Sequence, residues 1–361
     1  MTKAGLKMAK RKFRFNRKAL WPFITLIIAA LTIRAVFAAN KDLSIWALFK
    51  TLNDAKPGWL IGTVICMLGF IAFEGFALKH ILKSANIKVR PMQGLLYAAS
   101  DQFFSAITPS ATGGQPASAL FMGANGIPTA TITVALLINL IMYTTSTVVI
   151  GLFCIIARPN LLMSLTVPSK ILILLGMTVM TVLTILFIAL LRRGAKLHSL
   201  GIKLINFLCR IHLMHRKEHW LSRLDHVVYD YTLCSDALSG NAKVLALAFL
   251  LNLGQKISQI SVTPLLNFAF KKPDFVQGFN LWILQAFSQV GSYCVPIPGG
   301  MGATDYIMLD GFALLFDEDY TFILETISRS ISFYICTIVT GLIVLTGYIV
   351  LKIRAGKKRS N

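Results

Sequence analysis

Charge is scarce in this sequence, and acid is scarcer still. Of 361 residues only 14% are charged, and only 15 are Asp or Glu, where an ordinary soluble domain carries about 25% charged residues. Hydrophobic residues make up 55%, so a soluble fold of this size would lack the polar surface to cover itself. A disordered chain is excluded by the same composition. The six cysteines, Cys66, Cys154, Cys209, Cys234, Cys294 and Cys336, are scattered and form no C-x-x-C pair. Four of them lie in apolar segments, which reads as buried thiols. No phosphate-binding loop, nucleophile elbow or H-E-x-x-H occurs. No catalytic residue, cofactor or metal is therefore expected, and any transport is passive or driven by an ion gradient. What remains is an all-α, polytopic integral membrane protein.

Basic residues are plentiful: 36 Lys and Arg give a net charge of +21. They sit at the ends and between apolar runs, not on one compact domain, so nucleic acid is not an expected partner. Residues 1–18 hold eight of them and no acid, a cytoplasmic tail held near anionic lipid headgroups. The apolar run 20–39 is long enough to span and reads as a retained helix, although Val36-Phe37-Ala38-Ala39 resembles a cleavage site. Strong spans follow at about 58–79, 128–157, 168–191, 242–268 and 321–351. Two more apolar segments, 91–124 and 275–316, are broken by Pro and Gly. With the N-terminus inside, the inner loops and tails collect 26 Lys/Arg and the outer ones seven, which places both termini in the cytoplasm.

The expected organisation is a tail at 1–18, then a membrane repeat at 19–157 containing the broken segment 91–124. A second repeat at 168–351 contains the broken segment 275–316 and a cytoplasmic loop at 192–241. A basic tail closes the chain at 352–361. This gives about six transmembrane helices plus two broken hairpins. Each unit crosses three times, so the second is inverted relative to the first. Each broken segment is either re-entrant or a pair of short crossings; both preserve parity. In the loop, Leu197, Leu200, Leu204, Leu208 and Ile211 recur at helical spacing, which suggests an amphipathic helix on the inner leaflet. His212, His215 and His219 share a helical face with Cys209. That face is either a zinc site or, as the neighbouring Arg216 and Lys217 favour, an ordinary interfacial surface.

The broken segments carry the functional signal. The first reads Phe104-Ser105, then Pro109-Ser110-Ala111-Thr112-Gly113-Gly114-Gln115-Pro116. The second reads Phe287-Ser288, then Pro296-Ile297-Pro298-Gly299-Gly300-Met301-Gly302. Backbone at membrane depth must hydrogen-bond to itself, so such runs belong where a polar cavity or other protein covers them. Pro109 stops one helix, Gly113 and Gly114 permit non-helical dihedrals, and Gln115 and Pro116 suit the start of a half-helix over 116–124, about 13 Å long. Pro298 to Gly302 do the same before Thr304 and Asp305. Interrupted helices in corresponding places point to a transporter site near the midplane. Their N-termini form an anion site suited to a lipid phosphate. The competing reading is two kinked helix pairs packed through small residues.

The paired signatures T-P-S-x-x-G-G-Q-P and P-x-P-G-G-x-G-x-x-[DE], with this span pattern over about 20–350, resemble the lysylphosphatidylglycerol synthase transmembrane region. This is the flippase-like domain of bacterial multiple-peptide-resistance factors. The resemblance implies movement of an aminoacylated phospholipid such as lysylphosphatidylglycerol to the outer leaflet of the bacterial cell membrane, with resistance to cationic peptides. Full-length relatives add a soluble transferase domain, which this sequence does not contain after 351. The chain is therefore expected to be no enzyme by itself. It could serve as the membrane subunit of a lysyltransferase system with a separate soluble transferase, or as an accessory to polyprenyl-linked glycan assembly. A transporter of small anions is the third class.

Ionisable residues at bilayer depth mark candidate contacts. Glu74 lies in the second span, and Lys256 lies in the fifth at what reads as the corresponding place. Asp101 precedes the first break; Asp305 and Asp310 follow the second. Lys256 and the half-helix N-termini could hold the phosphate, while Glu74, Asp101 or Asp305 holds the amines. Alternatively Glu74 and Lys256 form a structural pair. Glu325 and Arg329, four residues apart, are expected to pair locally.

Overall fold

The computed structural model describes residues 55–108, 111–192 and 240–360, with isolated positions between 202 and 236. The first apolar run, the polybasic tail, Pro109, Ser110 and nearly all of the 192–241 loop, with its amphipathic stretch and histidines, lie outside the described residues. The described chain is helical, without strands.

Helix α1 (Pro57–Ser84) begins on a proline, whose fixed φ and missing N–H suit the first turn. Helix α2 (Pro91–Ile107) does likewise. A short break leads to α3 (Gly114–Ala124), then α4 (Thr129–Ala157), the one-turn α5 (Pro159–Ser164) and α6 (Val167–Arg192). After the loop come α7 (Ala242–Phe270), α8 (Phe275–Ser292), a 3-10 turn at Pro298–Gly300 and α9 (Ala303–Phe312). Helix α10 (Glu318–Arg329) runs through a π segment (Ser330–Ile335) into α11 (Cys336–Ser360). Asn241, Asp274 and Asp317 cap α7, α8 and α10 with their side chains.

Five stretches are long and apolar enough to cross a membrane: Pro57–Ser84, Thr129–Ala157, Val167–Leu191, Ala242–Phe270 and Glu318–Ile353. They match the sequence-derived spans closely, and large apolar side chains such as Ile61, Ile65, Ile156 and Ile185 stand exposed on them. That is the pattern of helices whose outer faces meet lipid. The two broken segments fall where the sequence placed them. Helix α3 is about 16 Å long and α9 about 15 Å at 1.5 Å per residue, each about half the hydrocarbon thickness.

Helices α1 and α7 form the most extensive pairing. They are antiparallel: the Lys56 N–H donates to the Ala269 carbonyl, while Gly69 lies near Ser258 and Gly254 near Phe73. Glycines at these crossings bring the backbones close, as in membrane packing generally. The turn between α1 and α2 closes the same way: a Cβ on Gly94 would stand 2.5 Å from the Gly75 carbonyl oxygen. One apolar core gathers Ile71, Leu266, Leu281, Phe287, Phe312 and Leu324 around α1, α7, α8 and α10. A second gathers Leu78, Tyr97, Met122, Ile138 and Ala248 around α1 to α4 and α7. Polar residues of the same helices, among them Glu74, Gln102, Gln255 and Gln285, line a cavity of about 660 Å³.

Candidate functional site: a polar cavity between the two breaks

The two breaks are built differently. In the second, Gly299, Gly300 and Gly302 have φ of 64°, 62° and 82°, so glycine supplies the left-handed turn that other residues resist. In the first, Gly113 is right-handed helical at φ −82°, and the positive φ falls on Ala111 at 52°. Gly113 and Gly114 are there for space, not for dihedral freedom. A Cβ on Gly113 would stand 2.6 Å from the Thr108 side chain, and one on Gly114 would collide with Asp101 and Ser105. Helix α3 starts at Gly114, two residues earlier than the sequence suggests. Gln115 therefore sits inside the first turn and does not cap it; its amide Nε2 donates to Asp101 Oδ2 at 2.5 Å.

One wall of the cavity is acidic. Glu74 Oε2 accepts from Gln102 Nε2 at 2.7 Å and from Gln255 Nε2 at 2.9 Å. Asp101 Oδ1 accepts from the Ser105 hydroxyl at 3.2 Å. Both acids are buried, at 5% and 8% exposure, and both line the cavity. Since both amides turn their N–H groups to Glu74, their oxygens face elsewhere. The Oε1 atoms of Gln102, Gln255, Gln259 and Gln289, all cavity-lining residues, have no hydrogen-bond partner. Buried acceptors without donors are costly in a folded protein. The four glutamines belong to the lining of one cavity, while these oxygens themselves have almost no accessible surface.

The opposite wall is the second break. Asp305 Oδ2 accepts the Gly302 N–H at 2.8 Å and its Oδ1 lies 2.6 Å from Arg329 Nε. Arg329 Nη2 also donates to the Gly299 carbonyl at 3.3 Å, and its guanidinium stands 5.1 Å from the Phe333 ring centre. The local Glu325–Arg329 pair expected from spacing is thus replaced by Arg329–Asp305, because the turn of the break carries Asp305 back onto the arginine. Glu325 instead accepts from the Thr326 hydroxyl at 3.3 Å.

Lys256 is nearly sealed, at 2% exposure. Its ammonium donates to the Tyr143 hydroxyl at 2.6 Å and to that of Tyr293, and lies 3.9 Å from the Tyr143 ring centre. Among the described residues no ion pair joins it to Glu74; the structural Glu74–Lys256 pair is not formed. Nor do the two occupy equivalent places. Aligning Phe104-Ser105 with Phe287-Ser288 equates Gln102 with Gln285. Gln102 bonds Glu74, while Gln285 accepts from Thr263 at 2.9 Å. By partner, the counterpart of Glu74 is Thr263.

Of the sequence-derived site residues, Glu74, Asp101, Thr112, Gln115, Pro296, Gly299 and Gly300 line the cavity. Gly113 and Gly114 shape the first break, Gly302 and Asp305 form the second half-helix cap, Pro298 opens the 3-10 turn, and Lys256 stands behind the tyrosines. Asp310 lies apart, accepting from the Thr166 N–H and hydroxyl. The residues that sequence reasoning missed are Gln102, Gln255, Gln259, Gln285, Gln289, Tyr143 and Tyr293. Their signal was present: Gln255/Gln259 and Gln285/Gln289 are amides four residues apart, on one face of each helix.

The half-helix N-termini do not stand open to an anion. Asp305 receives the N–H at the start of α9, and Asp101 abuts the first turn of α3. Each positive dipole end already faces one of the chain's own carboxylates. Glu74 and Asp101 have no ion-pair partner among the described residues.

A search of the curated proteins found no significant match. The family model described as the lysylphosphatidylglycerol synthase TM region matches residues 23–340. That is most of the chain and includes both breaks and every cavity-lining segment described above, so this membrane protein belongs to the lysylphosphatidylglycerol synthase TM region family.

Proposed function

We propose that the chain is a flippase or scramblase for a phospholipid with a cationic headgroup, of which lysylphosphatidylglycerol is the substrate the family description suggests. The observation that carries this is the cavity wall containing Glu74 and Asp101, two buried acids that no ion pair reaches among the described residues. Ammonium groups supply the positive charge that two such acids call for. Met180, Leu183, Phe187 and Phe333 line the same cavity and suit the glycerol and upper acyl carbons. The lipid phosphate would meet the Arg329 side, where an arginine already stands in the wall; Lys256, screened by two phenols, could reach an anion only if they part.

Two further features support a transport reading. Helices α1 and α7 pack antiparallel at the centre, and Gln102–Glu74 mirrors Gln285–Thr263. Both are what two inverted repeats would give, and such repeats suit alternating access around a central site. The excess of inner Lys/Arg supports cytoplasmic termini in a cell membrane, with the polybasic tail on anionic inner-leaflet lipid. Export of a cationic lipid would lower the negative surface charge and so oppose cationic peptides. The family description itself favours a second role beside this one: a membrane subunit that receives its lipid from a separate soluble transferase.

The test is leaflet exchange in proteoliposomes containing lysylphosphatidylglycerol, read by an amine reagent that does not cross the membrane. Full-length protein should expose inner-leaflet amines faster than empty vesicles, and Glu74→Gln should reduce the rate at least tenfold while the protein stays folded. Equal rates for protein and empty vesicles, or full activity in Glu74→Gln, would overturn the reading for this headgroup.

A further inference from the structure

Lys256 is the middle residue of the 29-residue helix α7, about 21 Å from either end at 1.5 Å rise per residue. At that depth it is 2% exposed, and no ion pair joins it to a carboxylate among the described residues. Arg329, the cation that lines the cavity, already has Asp305 at 2.6 Å. A buried cation without a counter-ion is costly in a membrane and marks function by default. The contacts of Lys256 are two phenols. Its ammonium donates to the Tyr143 hydroxyl at 2.6 Å and to the Tyr293 hydroxyl, and the two hydroxyls bond each other at 2.9 Å.

The hydrogens of this triangle can be counted. An ammonium has three and accepts none; each phenol has one. The ammonium places two on the phenol oxygens, and one phenol places its own on the other. The second phenol hydrogen has no acceptor among the described residues. The triangle thus carries a positive charge, a spare O–H donor and no negative partner. Tyr143 and Tyr293 both line the cavity and are half-buried, whereas Lys256 is sealed behind them. The spare donor therefore belongs to a cavity-lining residue. Gln255, next to Lys256 on α7, holds Glu74 at 2.9 Å, so consecutive residues of one helix anchor an acidic and a cationic part of the same cavity.

We propose that Tyr143 and Tyr293, with Lys256 behind them, form an oxyanion station halfway along α7, and that a phosphodiester oxygen of the lipid accepts the spare phenol O–H during transit. No covalent bond changes and no proton is transferred. The ammonium need not be reached, because a phenol that accepts from a cation donates more strongly itself, and hydrogen bonds to an anionic oxygen are the strong ones. The phosphate that meets Arg329 at the second break gains a second holding point at the depth where its loss of water costs most. Glu74 and Asp101 take the ammonium end of the same headgroup. The choice of a lipid phosphate over a free oxyanion rests on the function proposed above; the oxyanion site does not.

The test is ultraviolet difference spectroscopy of tyrosine absorption in the full-length protein in phosphate-free maltoside micelles. The probes are dihexanoylphosphatidylglycerol, inorganic phosphate, and dihexanoylglycerol, which lacks the anion. Wild type should give a saturating difference with dihexanoylphosphatidylglycerol and none with dihexanoylglycerol. Tyr143→Phe and Tyr293→Phe should each remove most of it. Lys256→Met leaves both phenols and should weaken the apparent affinity by about tenfold or more. Absence of any difference in wild type, which needs no variant to fold, overturns the station. Unchanged affinity in Lys256→Met, or an undiminished signal in both Phe variants, overturns it as well. Saturation by inorganic phosphate at or below the concentration needed for the lipid supports the oxyanion site and overturns the lipid phosphate as its occupant. The same preparation is assayed for leaflet exchange. Binding without exchange supports the station and removes the flippase; exchange without binding overturns the station and leaves the flippase standing.

Discussion

Lys256 is a buried cation with no carboxylate, and that makes it a sharp place to separate stability from function. Its replacement by Met keeps the length and volume of the side chain and removes the charge. The favourable terms lost are two charge-assisted hydrogen bonds, to Tyr143 and Tyr293, at roughly 1.5–3 kcal/mol each. The cation–π contact at 3.9 Å adds about 2 kcal/mol. Against them stands the cost of holding an ammonium at 2% exposure, several kcal/mol even after relaxation. One detail decides the sum. Tyr143 and Tyr293 also bond each other at 2.9 Å, so Lys256→Met does not strand two buried hydroxyls. The terms nearly cancel, and the variant is expected within about 2 kcal/mol of wild type, with either sign. Reversible unfolding in mixed detergent micelles, monitored by circular dichroism, measures this. A loss above about 4 kcal/mol, the size seen when one partner of a buried ion pair is deleted, would refute the reasoning and make Lys256 a structural post. If stability holds while leaflet exchange falls, the charge is present for function.

Other changes test the close approaches and the breaks. Gly94→Leu drives a side chain into the Gly75 carbonyl where α1 meets α2; it should destabilise by about 2 kcal/mol or more, read by the same unfolding curves. Gly299→Ala must hold φ near 64° and also displace the Phe333 ring, so a loss of at least 1–2 kcal/mol is expected, roughly the left-handed cost alone. Ala111 already accepts φ 52°, and Ala111→Gly should therefore leave stability unchanged or raise it by up to about 1 kcal/mol. Tyr320→Phe removes the hydroxyl that donates to Asn267 Oδ1 at 2.9 Å and should lower stability by about 1 kcal/mol.

The membrane architecture was legible because hydropathy is a local property. The five described spans and both broken segments follow from runs of apolar residues and from Pro and Gly within them. The site was legible only in part, because its chemistry depends on what folds back onto what. Gly113-Gly114 reads as a flexible hinge, and only the approach of Thr108, Asp101 and Ser105 shows that the pair is there for clearance. Glutamines read as unremarkable polar residues until Gln102, Gln255, Gln259, Gln285 and Gln289 come together around one cavity.

The half-helix N-termini are the instructive case. From sequence, a Gly-rich break followed by a short helix implies an exposed positive end and hence an anion site. That inference holds only while no acid of the chain reaches the same end. Asp305 lies within the first turn of α9 and caps it from inside, a local arrangement that its spacing from Gly302 could have disclosed. Asp101 precedes α3 by a whole break and returns through Gln115, which no local pattern discloses. With each end faced by a carboxylate, the half-helix starts are no open anion site. The residues that suggested a phosphate cradle therefore support, once placed, the ammonium reading proposed above. The two buried acids of the cavity wall, Glu74 and Asp101, are the observations on which that reversal turns.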